Sequence, residues 1–228
     1  MKTHEHSNAG DLLIWQIADT AFPVGGFAHS GGLESARQSG DVTSPEDLRD
    51  FVDAAIVQAK YGMLPFVKAA HEDAGSVYEL DSLCDAFLVN HVANRASRAL
   101  GSALLYVAGT SFHIPAFASL ADEWRRRGTP QHYGVAFGVT GRLLSISLPK
   151  TLELALFILA RDLISSAVRL NIIGPLRAQT LLFELGPSII RASNPDRVPS
   201  PAHAAQTAPV MDVLQNAHDG LYTRLFQS

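Results

Sequence analysis

This 228-residue chain has few of the residues from which metal centres and redox sites are built. It contains a single cysteine, Cys84, which excludes an internal disulfide and any site with several cysteine ligands. It has no H-E-x-x-H pair and no clustered Cys/His spacing, so no stable metal site is expected. The phosphate loop G-x-x-x-x-G-K-[ST] is also missing, so the chain is not expected to hydrolyse GTP. The sequence gives no reason to expect a cofactor.

Charge is sparse as well. Only 18% of the residues are charged and the formal net charge is −4, so no basic field indicates a nucleic-acid partner. Residues 99–121 carry no Asp, Glu, Lys or Arg, but the stretch from Gly109 to Pro115 interrupts them with polar groups and a helix breaker. This pattern predicts two buried helices meeting at a bend rather than a membrane span. The polar N-terminal residues show no signal peptide, so a cytoplasmic protein is expected.

Hydrophobic periodicity is helical nearly everywhere, and no run of strict alternation supports a strand. Ser44 and Pro45 supply a helix start, and apolar residues then follow at helical spacing up to Ile56. A second helix, opened by Ser147 and Pro149, is apolar almost all round, which predicts a central buried helix reaching Gly174-Pro175. We therefore expect one all-α domain of about ten helices over residues 11–192, after a flexible segment at 1–10.

The last 36 residues differ in composition. Residues 193–209 carry four prolines and little apolar content, which predicts a mobile linker without fixed helix. Apolar residues return at helical spacing from Val210 to Leu221. This short amphipathic helix either folds back on its own core or docks on a partner and becomes ordered there, and the composition favours docking of residues 210–228. Arg224 and Phe226 are the best contact candidates, since an exposed tail gains nothing structural from them.

The densest run of unusual residues is Ala21-Phe-Pro-Val-Gly-Gly-Phe-Ala-His-Ser-Gly-Gly-Leu-Glu34. Paired glycines allow positive φ angles or close approach of another backbone. One interpretation is catalytic, because Ala28-His-Ser-Gly-Gly32 nearly matches the nucleophile elbow G-x-S-x-G with Ser30 as nucleophile. The elbow requires a strand directly upstream, where this chain has proline and two glycines. A packing or docking surface is therefore the stronger interpretation and a serine hydrolase the weaker one.

The same run, from Ile17 to Glu34, resembles the N-terminal signature of the urease accessory protein F (UreF) family. Further blocks resemble that family in the same order: Leu64-Pro-Phe-Val67, Asn90 to Arg98, Ser165 to Leu170 with Ile173-Gly-Pro175, and Leu221 to Ser228. The resemblance covers almost the whole chain. It implies an all-α, dimeric, non-enzymatic scaffold in urease maturation. Similar proteins bind a second accessory protein (UreD, also called UreH) and recruit the GTPase UreG, and the assembly delivers nickel to apo-urease.

Several side chains are candidates for partner contacts under this resemblance, each with a purely structural alternative such as packing, capping or an internal salt bridge. They are His29, Ser30, Glu34, Arg95, Arg98, Lys150, Arg169, Arg224, Leu225 and Phe226. Arg95 and Arg98 are three residues apart on one helix face and could form a carboxylate-binding fork. His4 and His6 could touch nickel, although an H-x-H pair in a polar terminus is a weak signal. The alternative function from another class is a helical homo-oligomeric adaptor unrelated to metal delivery.

Overall fold

The computed structural model describes the backbone of residues 5–228 and the side chains from Leu12 onward. Within that range the chain forms eleven α-helices and no strand, which confirms the predicted all-α fold. The helices are α1 (Glu5–Ala18), α2 (Leu33–Ser39), α3 (Pro45–Gly62), α4 (Leu64–Glu72), α5 (Val77–Phe87), α6 (His91–Phe112), α7 (Pro115–Arg127), α8 (Tyr133–Leu143), α9 (Leu148–Arg169), α10 (Pro175–Ala192) and α11 (Pro209–Ala217). None of these helices is both long enough and apolar enough to cross a membrane.

The centre of the domain is α9, as its all-round apolar pattern predicts. It packs against α3, α4, α8 and α10, and its residues Leu152, Leu156 and Ala160 are fully buried. The helix ends at Arg169, earlier than Gly174, because the chain turns through Asn171, whose φ is +55°. Gly174 instead serves as the N-cap of α10, with Pro175 in the first turn of that helix.

Residues with little or no side chain allow close packing around α8. A Cβ atom built on Gly138 would lie 2.2 Å from the Val67 carbonyl oxygen of α4, and one on Gly101 of α6 would lie 1.9 Å from the Gln131 carbonyl oxygen. Each glycine is therefore required where two backbones touch.

The predicted start of α3 is confirmed in detail. Ser44 is the N-cap, its hydroxyl accepts a hydrogen bond from the Asp47 amide, and the Asp47 carboxylate accepts one from the Ser44 amide. This reciprocal capping box satisfies amide groups that would otherwise lack a partner at the helix start.

The segment 193–209 contains no α-helix before Pro209, only 3₁₀ turns at Pro195–Arg197 and Pro201–His203. It nevertheless lies on the domain surface. The carbonyl oxygen of Pro195 accepts a hydrogen bond from Lys68 at 2.9 Å, Val198 is buried, and the Gln58 side-chain oxygen accepts from the amides of Thr207 and Ala208. The linker is thus held along α3 and α4 and carries α11 to its place against α2 and α6.

Candidate functional site

The glycine-rich run forms an irregular turn that leads into α2. Gly25, Gly31 and Gly32 have φ angles of +88°, +60° and +91°, a region that other residues rarely adopt. Gly26 permits a close approach instead, because a Cβ atom there would lie 2.3 Å from the Asp162 carboxylate of α9. Positive φ angles and close approach were the two uses predicted for these glycines, and both occur.

The same turn is the surface on which the chain's own tail lies. A Cβ atom on Gly32 would come within 3.0 Å of the backbone nitrogen of Gln215 in α11. Of the two alternatives left open for residues 210–228, the structure therefore shows the tail folded back on the domain.

Glu34 is the centre of this contact. Its side chain is only 2% exposed, and it accepts hydrogen bonds from the amides of Leu225 and Phe226 at 2.7 and 3.2 Å. The Nε2 atom of His218, a residue with no exposed surface, lies 3.2 Å from the same carboxylate. We call Glu34, His218, Leu225 and Phe226 the Glu34 cluster. A buried carboxylate without partners is costly, so the tail and Glu34 stabilise each other.

His29 and Ser30 hold the last residue of the chain. The amide of Ser30 donates to the main-chain oxygen of Ser228, and His29 Nδ1 lies 2.5 Å from the Ser228 hydroxyl. Burial, together with the nearby charge of Arg95, lowers the pKa of His29. Ser30 is fully buried, and no strand frames it in the described part of the chain. These two features contradict the nucleophile-elbow alternative, because an elbow serine must stand exposed after a strand.

Arg95 is already occupied by the tail. Its guanidinium makes a two-pronged contact with Asp219 at 2.8 and 3.1 Å, and His91 and Arg224 approach the same carboxylate at 3.1 and 3.7 Å. Hydrogen bonding from Arg95 and His91 lowers the pKa of Asp219 to about 2. The predicted fork of Arg95 with Arg98 is therefore not formed by the two together, since Asp219 occupies only Arg95.

Arg169 closes the other side of the Glu34 cluster. Its guanidinium lies 4.2 Å from the centre of the Phe226 ring and donates to the Phe27 carbonyl oxygen. Phe226 is buried, so the expectation that the Arg-Leu-Phe ending has no structural role is wrong for this residue. Leu225 and Arg224 remain largely exposed.

The structure brings most of the predicted contact residues into one region, with one exception. Lys150 lies in the first turn of α9, where it pairs with Glu153 at 2.8 Å. Arg169 is at the opposite end of that helix, about 28 Å away at 1.5 Å per residue. Lys150 therefore does not belong to this surface.

Three important residues were missed by sequence reasoning. His218 and Asp219 lie in a polar stretch after the apolar stripe and carry no motif. Asn90 caps α6 by accepting from the amides of Val92 and Ala93, and its side-chain amide donates to the Asp212 carbonyl oxygen of α11. The sequence could indicate only that Asn90 caps a helix, because asparagine is a preferred N-cap residue. Nothing in the sequence indicated its hydrogen bond to α11.

A nickel contact was a weak prediction for the N-terminal histidines His4 and His6. His4 and the side chain of His6 lie outside the described residues. Within the described residues, no group of three or more His, Cys, Asp and Glu side chains is arranged to hold a metal ion.

Comparison with known proteins identifies the family of the chain. The model of the UreF family matches residues 42–186. The chain is 38% identical to urease accessory protein F of Oryza sativa subsp. indica over 93% of this chain and 83% of the relative. It is 34% identical to urease accessory protein F of Arabidopsis thaliana, covering 94% and 91%, and 27% identical to the UreF of Bradyrhizobium diazoefficiens, covering 100% and 99%.

These relatives are named as accessory proteins rather than as enzymes, which confirms the prediction of a non-enzymatic role. The chain belongs to the UreF family of urease accessory proteins.

Proposed function

We propose that this protein is a cytoplasmic, homodimeric scaffold that joins a UreD/UreH-type partner and, with it, recruits a UreG-type GTPase to deliver nickel to apo-urease. Family membership supports a role in urease maturation. The resemblance of the sequence blocks to the family supports the choice of these partners.

The outward face of the tail is the observation that carries the partner-binding part of the proposal. In α11, Met211 and Leu214 pack on the core, whereas Val210 and Val213 are each 68% exposed. Beyond the helix, Tyr222 is fully exposed and Leu225 is 62% exposed. Apolar side chains this exposed, on a segment that is fixed by the Glu34 cluster, fit a docking surface for another protein.

Most of the predicted contact residues have a defined place in this proposal. Glu34, His29, Ser30 and Arg169 hold the tail, and Arg95 holds it through Asp219. Leu225 and Arg224 are presented outward for the partner. Lys150, on its distant face, is assigned no contact with the UreD/UreH-type partner.

The test is capture of partners by the tagged protein in cells that express the urease accessory set. We expect the wild-type chain to retain the UreD/UreH-type protein and, through it, the UreG-type GTPase. The double variant Val213→Asp, Leu225→Asp should lose both, because it places two carboxylates on the outward apolar face. The matched control is Val57→Asp on α3, which changes another exposed valine and should bind normally. If the double variant binds normally, the tail is not part of the interface with the partner.

The homodimer is tested separately by sedimentation of the purified chain. We expect a mass of about twice 24.5 kDa at micromolar concentration without partners. A species of 24.5 kDa alone would contradict the dimer.

A further inference from the structure

A surface groove lies beside the tail, and two of its lining residues, Val89 and Arg98, take no part in the contacts described so far. It has a volume of about 510 Å³ and runs from the end of α5 along the first two turns of α6. Its lining residues are Leu88, Val89, His91, Asn94, Arg95 and Arg98. We propose that this groove binds an acidic segment of a protein partner, with a carboxylate on Arg98 and an apolar side chain on Val89.

The charge of the groove is the first reason. Its lining includes two arginines and a histidine and no carboxylate. Arg95 and His91 are balanced by Asp219, but Arg98 is exposed and forms no hydrogen bond or ion pair with any described residue. The charge of Arg98 acts on the carboxylate of Asp85, but that carboxylate already accepts hydrogen bonds from Asn94 and His132. An exposed guanidinium of this kind offers paired donors to an incoming carboxylate.

The apolar part of the groove is the second reason. Val89 lies in the loop between α5 and α6 and is 83% exposed, next to the half-buried Leu88. An exposed valine beside an unpaired arginine fits a segment that alternates an acidic with an apolar residue. A purely inorganic anion would use Arg98 and leave Val89 uncovered.

The position of the groove is the third reason. Asp219 binds Arg95 at the edge of the groove, and Asn90, directly after Val89, hydrogen-bonds the Asp212 carbonyl oxygen of α11. The groove therefore adjoins the tail, and one partner can cover both the groove and the outward face of the tail. This proposal rests on the proposed function, and it adds that the same partner makes a second contact through an acidic segment.

Asp219 also shows how a carboxylate binds here. It makes a two-pronged contact with Arg95, at 2.8 and 3.1 Å, from within the same chain. An acidic residue on Arg98, one helical turn further along α6, repeats that geometry from outside.

The probe is the peptide fluorescein-Gly-Glu-Asp-Leu-Glu-Gly-amide, labelled at its N-terminal amine, titrated with the full chain and followed by anisotropy. A matched peptide with Gln and Asn in place of the acidic residues measures the contribution of charge. We expect the acidic peptide to bind, the neutral one to bind at least tenfold more weakly, and added salt to weaken the acidic one. Equal binding of the two peptides, or no binding of the acidic one, overturns the proposal.

Two variants locate the site. Arg98→Glu and Val89→Asp should each weaken the acidic peptide at least tenfold, whereas Arg191→Glu, which reverses an exposed arginine on α10, should not. Unchanged helical circular dichroism and melting temperature show that the variants are folded. Peptide binding that survives Arg98→Glu overturns the proposal.

The two proposals fail differently. If the groove variants and the peptide show no effect while the tagged chain still captures its accessory partner, the groove proposal alone is wrong. If the peptide binds the groove as described but no urease accessory protein is captured, the proposed function is wrong and the groove serves another acidic partner.

Discussion

At the scale of single residues, Glu34 holds the tail on the domain. Its buried carboxylate accepts two tail amides and contacts His218. Glu34→Gln keeps the shape of the side chain but removes the charge and turns one oxygen into a donor that faces those amides. Since hydrogen bonds to charged groups are worth roughly 1.5–3 kcal/mol, we expect the tail to loosen. The measurement is hydrogen exchange at the amides of Leu225 and Phe226, with the exposed Asp50→Asn as control. Unchanged protection of these amides would show that the Glu34 charge is not what fixes the tail.

Phe226 and Arg224 should respond differently to truncation. Composition alone suggested that both could be removed with little change in melting temperature. Phe226 is buried under Arg169, so Phe226→Ala should release the end of the tail and lower the melting temperature. Replacing a buried phenylalanine by alanine in a packed core lowers the free energy of unfolding by about 3–5 kcal/mol. Arg224 is exposed and 3.7 Å from Asp219, so Arg224→Ala should change stability little. The measurement is thermal unfolding of both variants. Equal melting temperatures would contradict the burial of the Phe226 side chain.

Asp47 gives a pH-dependent contribution to stability. Hydrogen bonds from Thr43 and Ser44 lower its pKa from the usual 3.8 to about 2. A carboxyl group whose pKa falls on folding stabilises the protein above pH 3.8, and that contribution is lost as the pH falls through about 2. Asp47→Asn should therefore melt lower than the wild type at pH 6, and the difference should shrink toward pH 2. A difference that stays constant over this range would mean that the charge of Asp47 is not involved.

At the scale of elements, the crossing of α4 and α8 depends on a glycine at the point of contact. Gly138→Ala places a methyl group 2.2 Å from the Val67 carbonyl oxygen, so the helices must separate. Overpacking of this kind typically costs about 1–3 kcal/mol. Gly186→Ala in α10 is the matched control, because nothing lies within 4 Å of its Cβ position and alanine is the better helix former. Chemical denaturation should show Gly138→Ala destabilised and Gly186→Ala unchanged or more stable. The reverse order would contradict the close crossing.

The elements differ in how far the sequence predicted them. The starts of α3 and α9 were readable because a Ser-x₀₋₁-Pro start is followed by a continuous apolar pattern. By contrast, α8 was missed, because its glycines at 134, 138 and 141 lower helix propensity, and only the neighbouring helices show why they are needed. The place of the tail was equally hidden, since it depends on Glu34, nearly 200 residues away in the chain.

At the scale of the whole molecule, the glycine-rich run at residues 21–34 and the tail at residues 210–228 pack against each other and form one surface. The chain's most unusual residues, near positions 25–34, are explained by contacts with α9 and with residues 215–228. Sequence reasoning identified both regions and the family, and it identified most of the residues at their junction. It could not show that several of these residues face inward, toward the tail. The reason is that no pattern in either segment indicates contact with the other. The outward apolar face that remains is the surface on which the proposed function depends.

The most direct measurement of that function is the nickel content of urease purified from cells that lack this protein. We expect nickel-poor, inactive urease in those cells, and recovery of both nickel and activity when the wild-type chain is restored. The Val213→Asp, Leu225→Asp variant should fail to restore them, whereas Val57→Asp should succeed. Urease with normal nickel and activity in cells without the protein would contradict its assignment to urease maturation.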